Sequence, residues 1–303
     1  MTLGFKIDGR PGEDIAGLAK KVERAGFAEL WVCEDLGLAG GMSQVVAALA
    51  STDRLHVGLG IAPAAARNVA YLAMEFATVM RMFPSRFRPG IGHGVPSWLE
   101  QVGAHPDSLM TCLAEVAAVL PRLISGESVT FSGDHVHLDA VQLTQPPSET
   151  PVVSLGVRGP KGIALAPKVG AGLILAEGSV PEYVAAVRKT VGSGTRITVF
   201  VWANMTDADQ LESDSKFHDI VRAKLVKPAL AHQLGGADGA AIAVSDVAIT
   251  GSEDDCRRAV ERLFSHGADA VILQPLASTE ETQIERFAAL AKEFSSAAVG
   301  RLG

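Results

Sequence analysis

Polar side chains follow almost every apolar segment of this sequence, and their types are suited to proton transfer and to holding a charged ligand. Glu34 and Asp35 come directly after one such segment, His93 after another and Glu177 after a third. Carboxylates and imidazoles are the usual general acids and bases of enzymes. The other residues in equivalent places are Pro63, Arg67, Gly94, Trp98, Arg158, Gly159, Pro160, Lys161, Trp202, Asn204, Gln274 and Pro275.

The acidic pair Glu34-Asp35 is open to three interpretations: an acid or base, a metal ligand, or a helix cap. Neighbouring residues on an extended chain point in opposite directions, so we expect at most one of the two to face a cavity. A metal site shared with His93 and Glu177 lacks a His-x-His or His-x-x-Glu spacing at the strand ends. We therefore take Asp35, Glu34 and His93 as catalytic candidates and predict no metal site.

The segment 90–103 (GIGHGVPSWLEQVG) contains glycines that allow a flat ligand to approach the backbone closely. Gly92 and Gly94 flank His93, which would project between them. The pattern follows an apolar segment but lacks the spacing and the acidic partner of a dinucleotide fingerprint, so we reject a Rossmann fold. A purely structural role is the alternative for a lone histidine.

The segment 156–165 (GVRGPKGIAL) predicts a binding place for an anionic group. Pro160 suits the first position of a helix, whose outward N–H groups favour anions. Lys161 adds positive charge there, and Arg158 and Gly159 precede it. The alternative is an ordinary strand–helix turn with a solvated lysine.

Apolar strands alternate with amphipathic helices along the whole chain, and this alternation predicts a parallel sheet covered by helices. About eight such units favour a closed barrel over an open sheet. We therefore predict an α/β fold, a single (β/α)8 TIM barrel with insertions, spanning residues 1–303, whose catalytic groups lie at the carboxyl ends of the strands. The predicted strands are 3–7, 29–33, 55–60, 87–92, 152–156, 172–175, 196–202 and 269–273, and the predicted helices include 13–25, 68–82, 108–124, 180–191, 252–266 and 279–296.

Two stretches interrupt this alternation and are predicted to be insertions. Residues 125–150 are rich in Gly, Ser, Thr and Pro, and residues 203–246 contain the run GGADGAAIA, which we expect to be mobile or to act as a lid. His135 and His137 alternate in the first stretch as they would on a surface hairpin, so we expect no metal there.

Composition indicates one large core without extensive disorder, since 48% of the residues are hydrophobic and 20% are charged. The formal net charge of -7 argues against nucleic acid, whose binding needs a basic surface. Cys33, Cys112 and Cys256 are few and far apart, as in a reduced cytoplasm. No apolar run is long enough for a membrane span, and the N-terminus does not read as a signal peptide. We expect a cytoplasmic protein.

Four blocks of the sequence resemble the luciferase-like monooxygenase superfamily. They are WVCEDLG (31–37), the segment 52–94 with its Gly-x-Gly strand and Gly-Ile-Gly-His-Gly turn, the segment 151–172, and the segment 245–275. Within the superfamily, the chain most resembles the branch of methylenetetrahydromethanopterin reductase-like oxidoreductases that use coenzyme F420. The resemblance implies a TIM barrel that binds a deazaflavin or a flavin at its mouth.

In that branch a bulge on the third strand, often with a non-prolyl cis peptide, presses on the middle of the deazaflavin. The matching step in this chain is Gly60-Ile61. Together with the two turns described above, the resemblance implies a cofactor site and, beside it, a substrate site. The cofactor residues are Gly60, Ile61, Gly92, His93, Gly94, Arg158, Gly159, Pro160 and Lys161, and the substrate residues are Arg67, Trp98 and Glu177.

Three places depart from the pattern of the family. Many relatives carry Asp-His after the second strand, where this chain has Glu34-Asp35, so the acid–base role of that histidine does not transfer. If Asp35 replaces it, burial must raise the pKa of its carboxyl for it to act as an acid near neutral pH. Ser85 and Ala171 stand where relatives have a glycine and an aspartate.

The sequence thus predicts a coenzyme F420-dependent oxidoreductase that moves a hydride between the deazaflavin and a small organic substrate. We expect a homodimer that binds neither nucleic acid nor membrane. The first alternative is an FMN-dependent monooxygenase on the same scaffold. Two further alternatives are a catalytically silent flavin-binding relative and a metal-dependent barrel lyase or isomerase.

Overall fold

Short apolar strands form the centre of the molecule, which we describe from a computed structural model covering residues 1–149, 152–206 and 211–299. Within these described ranges, eleven strands join one sheet, and every pairing in it is parallel. Two more form a separate antiparallel hairpin. The strands are β1 (Thr2–Ile7), β2 (Glu29–Val32), β3 (His56–Leu59), β4 (Ala62–Pro63), β5 (Phe87–Arg88), β6 (Gly90–Gly92), β7 (Val129–Ser132), β8 (His137–Val141), β9 (Ser154–Gly156), β10 (Gly172–Leu175), β11 (Ile197–Met205), β12 (Ala248–Gly251) and β13 (Ala270–Gln274).

The sheet closes on itself through two interrupted strands. From β1 the order runs through β2 to β3 on one side, and through β13, β11, β10 and β9 to β6 on the other. β3 pairs with β5 and β4 pairs with β6. Because β3–β4 and β5–β6 are each two pieces of one extended segment, the ring has eight positions, and the predicted α/β barrel is confirmed. β12, which was not predicted, pairs with β11 beside the ring.

The interruption between β5 and β6 corrects the predicted continuous strand 87–92, whereas the predicted strand 55–60 agrees with β3 to within one residue at each end. The Gly60-Ile61 peptide bond, between β3 and β4, is cis, as the resemblance implied. Pro89 lies between β5 and β6 and has no N–H to donate to a neighbouring strand.

Helices surround the sheet, and their predicted ends agree with the structure within two residues in five of the six cases. The exception is 279–296, which forms two helices separated at Phe287. Gly26 and Gly267 end helices with φ of 98° and 106°, the left-handed conformation expected there. The helices are α1 (Ile15–Ala25), α2 (Gly41–Ala50), α3 (Val69–Met82), α4 (Pro96–Gln101), α5 (Leu109–Ile124), α6 (Pro160–Leu165), α7 (Pro181–Val191), α8 (Leu211–Leu225), α9 (Val244–Val247), α10 (Glu253–Ser265), α11 (Glu280–Arg286) and α12 (Ala288–Val299).

The segment predicted as the first insertion contains the β7–β8 hairpin, which carries His135 in its turn and His137 on β8. The carboxylate of Glu115 on α5 accepts hydrogen bonds from the backbone N–H groups of residues 134, 135 and 136 at 2.8–2.9 Å. This one side chain therefore fixes the hairpin turn. The second segment, 203–246, holds the end of β11, α8 and the start of α9, with residues 207–210 outside the described part.

Large side chains fill the barrel interior because glycines face them. Trp31 on β2 is 1% exposed and packs edge-on against Phe200 of β11, with 5.3 Å between the ring centroids. A Cβ at Gly58 would lie 2.3 Å from the Trp31 ring, so no residue other than glycine fits there. Ile61 packs against the same group of side chains. Across the described residues, no helix is both long and apolar enough to cross a membrane.

Candidate active site

A cavity of about 680 Å³ opens where the carboxyl ends of the barrel strands meet. Cofactor and small-molecule sites typically enclose ~300–1,000 Å³, so the volume suits a ligand of cofactor size. The strand-end residues predicted from the sequence contribute much of its wall. Those lining it are Glu34, Asp35, Gly60, Ile61, Pro63, His93, Gly94, Trp98, Arg158, Gly159, Glu177, Trp202 and Gln274.

Four residues predicted for the site do not line this cavity: Arg67, Gly92, Pro160 and Lys161. Arg67 is linked to the cavity through Glu34, a lining residue to which it donates a hydrogen bond. Gly92 packs against the side chain of Ile61, another lining residue. Lys161 and Pro160 belong to the first turn of α6, whereas the loop before it, Arg158 and Gly159, reaches the cavity.

The side chain of Ile61 lies against the backbone of two glycines, Gly92 and Gly156. A Cβ at Gly92 would lie 2.4 Å from Ile61 Cδ1 and 2.8 Å from the carbonyl oxygen of Gly156. A Cβ at Gly156 would lie 2.6 Å from Ile61 Cγ2. These glycines leave room for Ile61, which forms an apolar part of the cavity wall together with Phe200.

Glu34 and Asp35 have different surroundings. Arg67 donates two hydrogen bonds of 2.6 Å to the two carboxylate oxygens of Glu34, and the Gly41 N–H donates a third of 3.3 Å. For Asp35, no side-chain hydrogen bond or ion pair is found among the described residues. Burial, and next the negative charge of Asp8, raise the pKa of the Asp35 carboxyl above its usual range. Asp35 is therefore the acidic group free to act on a ligand.

Both acidic residues line the cavity, so the expectation that at most one would face it is wrong. The reason is that β2 ends at Val32 and residues 33–35 no longer belong to a strand. The alternation of side chains holds only within the strand itself.

His93 follows β6 and lines the cavity with its imidazole half-buried. Its Nδ1 lies 3.2 Å from the carbonyl oxygen of Leu109, which can only accept, so Nδ1 carries the proton. Burial lowers the pKa of His93 below its ordinary value, although this hydrogen bond opposes the shift. The ring is thus neutral near pH 7, with Nε2 as a hydrogen-bond acceptor.

Sequence reasoning missed a buried ion cluster that begins on the first strand. Lys6 is 5% exposed, and its ammonium donates to Glu177 at 2.7 Å, to Gln274 at 2.9 Å and to Asp8 at 3.4 Å. All four line the cavity. The signal was present in the strand LGFKI, where Leu3, Phe5 and Ile7 alternate with Gly4 and Lys6 and so place the lysine on the other face.

The opposing charges of this cluster stabilise its ionised forms. Burial would lower the pKa of Lys6, but Cys33, Glu177 and Asp8 together raise it well above its ordinary value. Burial raises the pKa of the Cys33 thiol to about 12, so the thiol itself is neutral near pH 7. Burial likewise opposes ionisation of Glu177, but the charge of Lys6 outweighs it and lowers the pKa of Glu177. Glu177 is engaged by Lys6 rather than free for a substrate.

Two further cations that sequence reasoning missed line the cavity, Lys224 at the end of α8 and Lys227 just after it. The Lys224 ammonium lies 5.7 Å from the centre of the Trp202 ring. On the neighbouring loop, Arg158 donates a 2.7 Å hydrogen bond to the buried Gln233. These cations follow the fifth and seventh strand positions of the ring, whereas Asp8 and Asp35 follow the first and second. Charge is therefore distributed unevenly around the mouth.

A family model described as luciferase-like monooxygenase matches residues 6–270 of the chain. The chain therefore belongs to the luciferase-like monooxygenase family. It is 22% identical to 5,10-methylenetetrahydromethanopterin reductase of Methanolobus tindarius, over 94% of this chain and 98% of that protein.

Solved structures with the same fold include enzymes of both cofactor types. An F420-dependent secondary alcohol dehydrogenase, in complex with an F420-acetone adduct, has a TM-score of 0.80 at 19% identity and covers 96% of this chain and 98% of its own. The FMN-bound oxygenating constituent of 3,6-diketocamphane monooxygenase from Pseudomonas putida has a TM-score of 0.77 at 14% identity, covering 98% of each chain.

Proposed function

We propose that this protein is a coenzyme F420-dependent oxidoreductase that transfers a hydride between the deazaflavin and a small organic substrate. The observation that carries the proposal is one cavity that combines an apolar wall at Ile61 with Asp35, a carboxyl for which the described residues show no side-chain partner. A flat ring needs the first feature, and proton transfer to a reacting substrate needs the second. Relatives named as F420-dependent enzymes or as methylenetetrahydromethanopterin reductase support the choice of cofactor.

The residues of the cavity fit a deazaflavin. Ile61, packed against Gly92 and Gly156, offers an apolar surface beside two residues that have no side chain. Arg158 and Gly159, with Lys224 and Lys227, offer positive charge and backbone N–H groups for the anionic tail of the cofactor. When bound, the deazaflavin supplies or accepts the hydride at its C5 position.

Asp35 exchanges the proton that accompanies hydride transfer. Its raised pKa keeps part of the carboxyl protonated closer to neutral pH, where it donates to the substrate oxygen or nitrogen, and the carboxylate accepts the proton in the reverse direction. Glu34 does not compete for this role, because Arg67 holds both of its oxygens. His93 would accept a hydrogen bond from the ligand through Nε2 and so help to orient it, because its Nδ1 is bonded to the carbonyl oxygen of Leu109.

The experiment that tests the proposal is anaerobic mixing of the protein and oxidised coenzyme F420 with a panel of small alcohols, amines and reduced pterins. Loss of the deazaflavin absorbance with one substrate class, abolished in Asp35→Asn and retained in the surface variant Asp107→Asn, is the expected result. An unchanged deazaflavin absorbance with every compound, in a protein that binds the cofactor, would instead support a silent relative.

An FMN-dependent monooxygenase is the second candidate, favoured by the likeness to the FMN-bound oxygenating constituent. It requires that reduced FMN bind in the same cavity and that oxygen be consumed with substrate. Oxygen uptake that depends on reduced FMN and on an organic substrate would select this candidate over the first.

A further inference from the structure

Asp8 follows β1 directly, and it lies in the same cavity as Asp35, which follows the neighbouring strand β2. The two strands pair in parallel, with Ile7 beside Val32, so both carboxyls emerge at one edge of the barrel mouth. The predicted site did not include Asp8. It is a titratable group of the cavity that the proposed hydride transfer leaves without a role.

Asp8 is held in place from two sides. The Lys6 ammonium lies 3.4 Å from Asp8 Oδ2, and the side-chain amide of Gln274 donates to the same oxygen at 3.2 Å. Gln274 is itself fixed, because its other amide atom accepts from Lys6 at 2.9 Å. These two hydrogen bonds leave little freedom for the Asp8 side chain.

Asp35 lacks such partners, and the charges around it do not cancel. The ammonium of Lys6 is shared between Glu177, at 2.7 Å, and Asp8. The nearby Arg67 is occupied by Glu34. Among the described residues, the groups whose charges act on Asp35 are Asp8, Lys6 and Glu177, and Asp35 in turn acts on the Cys33 thiol. Glu34, the preceding residue, is paired with Arg67.

We propose that Asp8 is a positioning residue of the active site: its fixed carboxylate keeps the proton on the neighbouring carboxyl of Asp35, so that Asp35 can act as the proton donor. The role of this proton in catalysis rests on the proposed function, but the effect of Asp8 on Asp35 does not require a bound cofactor. After burial, the charge of Asp8 makes the largest contribution to the raised pKa of Asp35, and Lys6 opposes it. Lys6 and Gln274 serve the pair by fixing Asp8.

If Asp8 had only a structural role, it would accept the hydrogen bond from Lys6 without affecting the protonation of Asp35. The two roles separate in Asp8→Asn, because the amide oxygen still accepts from Lys6 and Gln274 while the charge is gone. Removing a neighbouring negative charge makes Asp35 easier to ionise, so its pKa must fall. A neighbouring like charge disfavours the ionised form of a carboxyl, and a shift of one pKa unit is a tenfold change in its proton affinity.

The test is a pH titration of the aspartate side-chain carboxyl carbons by 13C NMR, in the full-length protein without cofactor. The Asp35 signal is identified by its loss in Asp35→Asn. We expect Asp8→Asn to lower the proton affinity of Asp35 about tenfold, and the exposed control Asp107→Asn to leave it unchanged. Asp8→Ser, which removes the charge with a different side chain, should shift Asp35 in the same direction even if one variant folds poorly.

An unchanged Asp35 titration in both Asp8 variants overturns the proposal. The pH profile of hydride transfer with coenzyme F420 gives an independent readout: in the direction that needs the acid, its alkaline fall should move to lower pH in Asp8→Asn. If the NMR shift occurs but coenzyme F420 is never reduced, the carboxyl pair stands and the proposed function fails. If coenzyme F420 reacts but neither titration nor pH profile moves, the function stands and the role of Asp8 fails.

Discussion

Replacing Gly92 with alanine places a methyl group against the wall that the proposed cofactor contacts. The new Cβ would lie 2.4 Å from Ile61 Cδ1 and 2.8 Å from the carbonyl oxygen of Gly156. Carbon atoms in contact are ~3.5–4.0 Å apart, so the Ile61 side chain must move by about 1 Å. The Gly156 backbone blocks one direction, and the cavity offers the open one.

Overpacking of this kind costs about 1–3 kcal/mol. In the free protein, Ile61 can avoid this cost by moving into the cavity. A ring bound against Ile61 would push it back and restore the clash, so the same free energy is lost from binding. The dissociation constant of the cofactor should therefore rise about 5- to 140-fold. The assay is an equilibrium titration that follows the fluorescence of coenzyme F420, at a temperature where thermal unfolding shows both proteins to be folded.

Gly17→Ala is the matched control, since a Cβ there meets nothing within 4 Å and the residue lies in α1. It should leave affinity unchanged and stabilise the helix by up to about 1 kcal/mol. Unchanged affinity in Gly92→Ala, in a folded protein that binds the cofactor, would refute the placement of the ring against Ile61.

Three other substitutions test separate parts of the account. Asp35→Asn should lower the hydride-transfer rate by about 10²–10⁴ with little change in cofactor affinity, measured by stopped-flow absorbance; an unimpaired rate would remove Asp35 from the mechanism. Glu34→Gln should lower the free energy of unfolding, measured in urea, by about 1–2 kcal/mol, because one of the two hydrogen bonds to Arg67 is lost. Glu75 lies 3.6 Å from Arg67 and is more exposed, so Glu75→Gln should lower it by less than about 0.5 kcal/mol. The lowered pKa of Glu177 contributes stability that is present above the ordinary glutamate pKa and is lost as pH falls through the lower pKa of the folded protein. In Glu177→Gln, the free energy of unfolding should therefore fall less steeply as the solution is acidified. An unchanged fall in acid would contradict the ion pair with Lys6.

Local patterns were sufficient for the barrel and for many residues of its mouth. Strand–helix alternation gave the eight units, and the position of polar residues after each strand placed Asp35, His93 and Arg158 at one cavity. These inferences work because a parallel barrel brings all strand ends to one face, whatever the details of packing. The resemblance located the cis bond at Gly60-Ile61, which no periodicity would indicate.

The ion cluster was beyond such reasoning because its partners are far apart in sequence. Lys6 contacts Glu177 and Gln274 across 171 and 268 positions, and only the closure of the ring brings them together. The strand-end inventory also began at the second strand, which left Asp8 out. The ion pair between Arg67 and Glu34 could not be predicted either, because both residues lie in loops, where side-chain direction does not alternate regularly along the sequence.

The central claim is that the cavity at the barrel mouth binds a deazaflavin in preference to FMN. Parallel equilibrium titrations of the purified protein with coenzyme F420 and with FMN, each repeated with Gly92→Ala, test it most directly. The account predicts one coenzyme F420 per chain, bound more tightly than FMN and weakened by Gly92→Ala. A higher affinity for FMN than for coenzyme F420, or an affinity for coenzyme F420 that Gly92→Ala leaves unchanged, would contradict it.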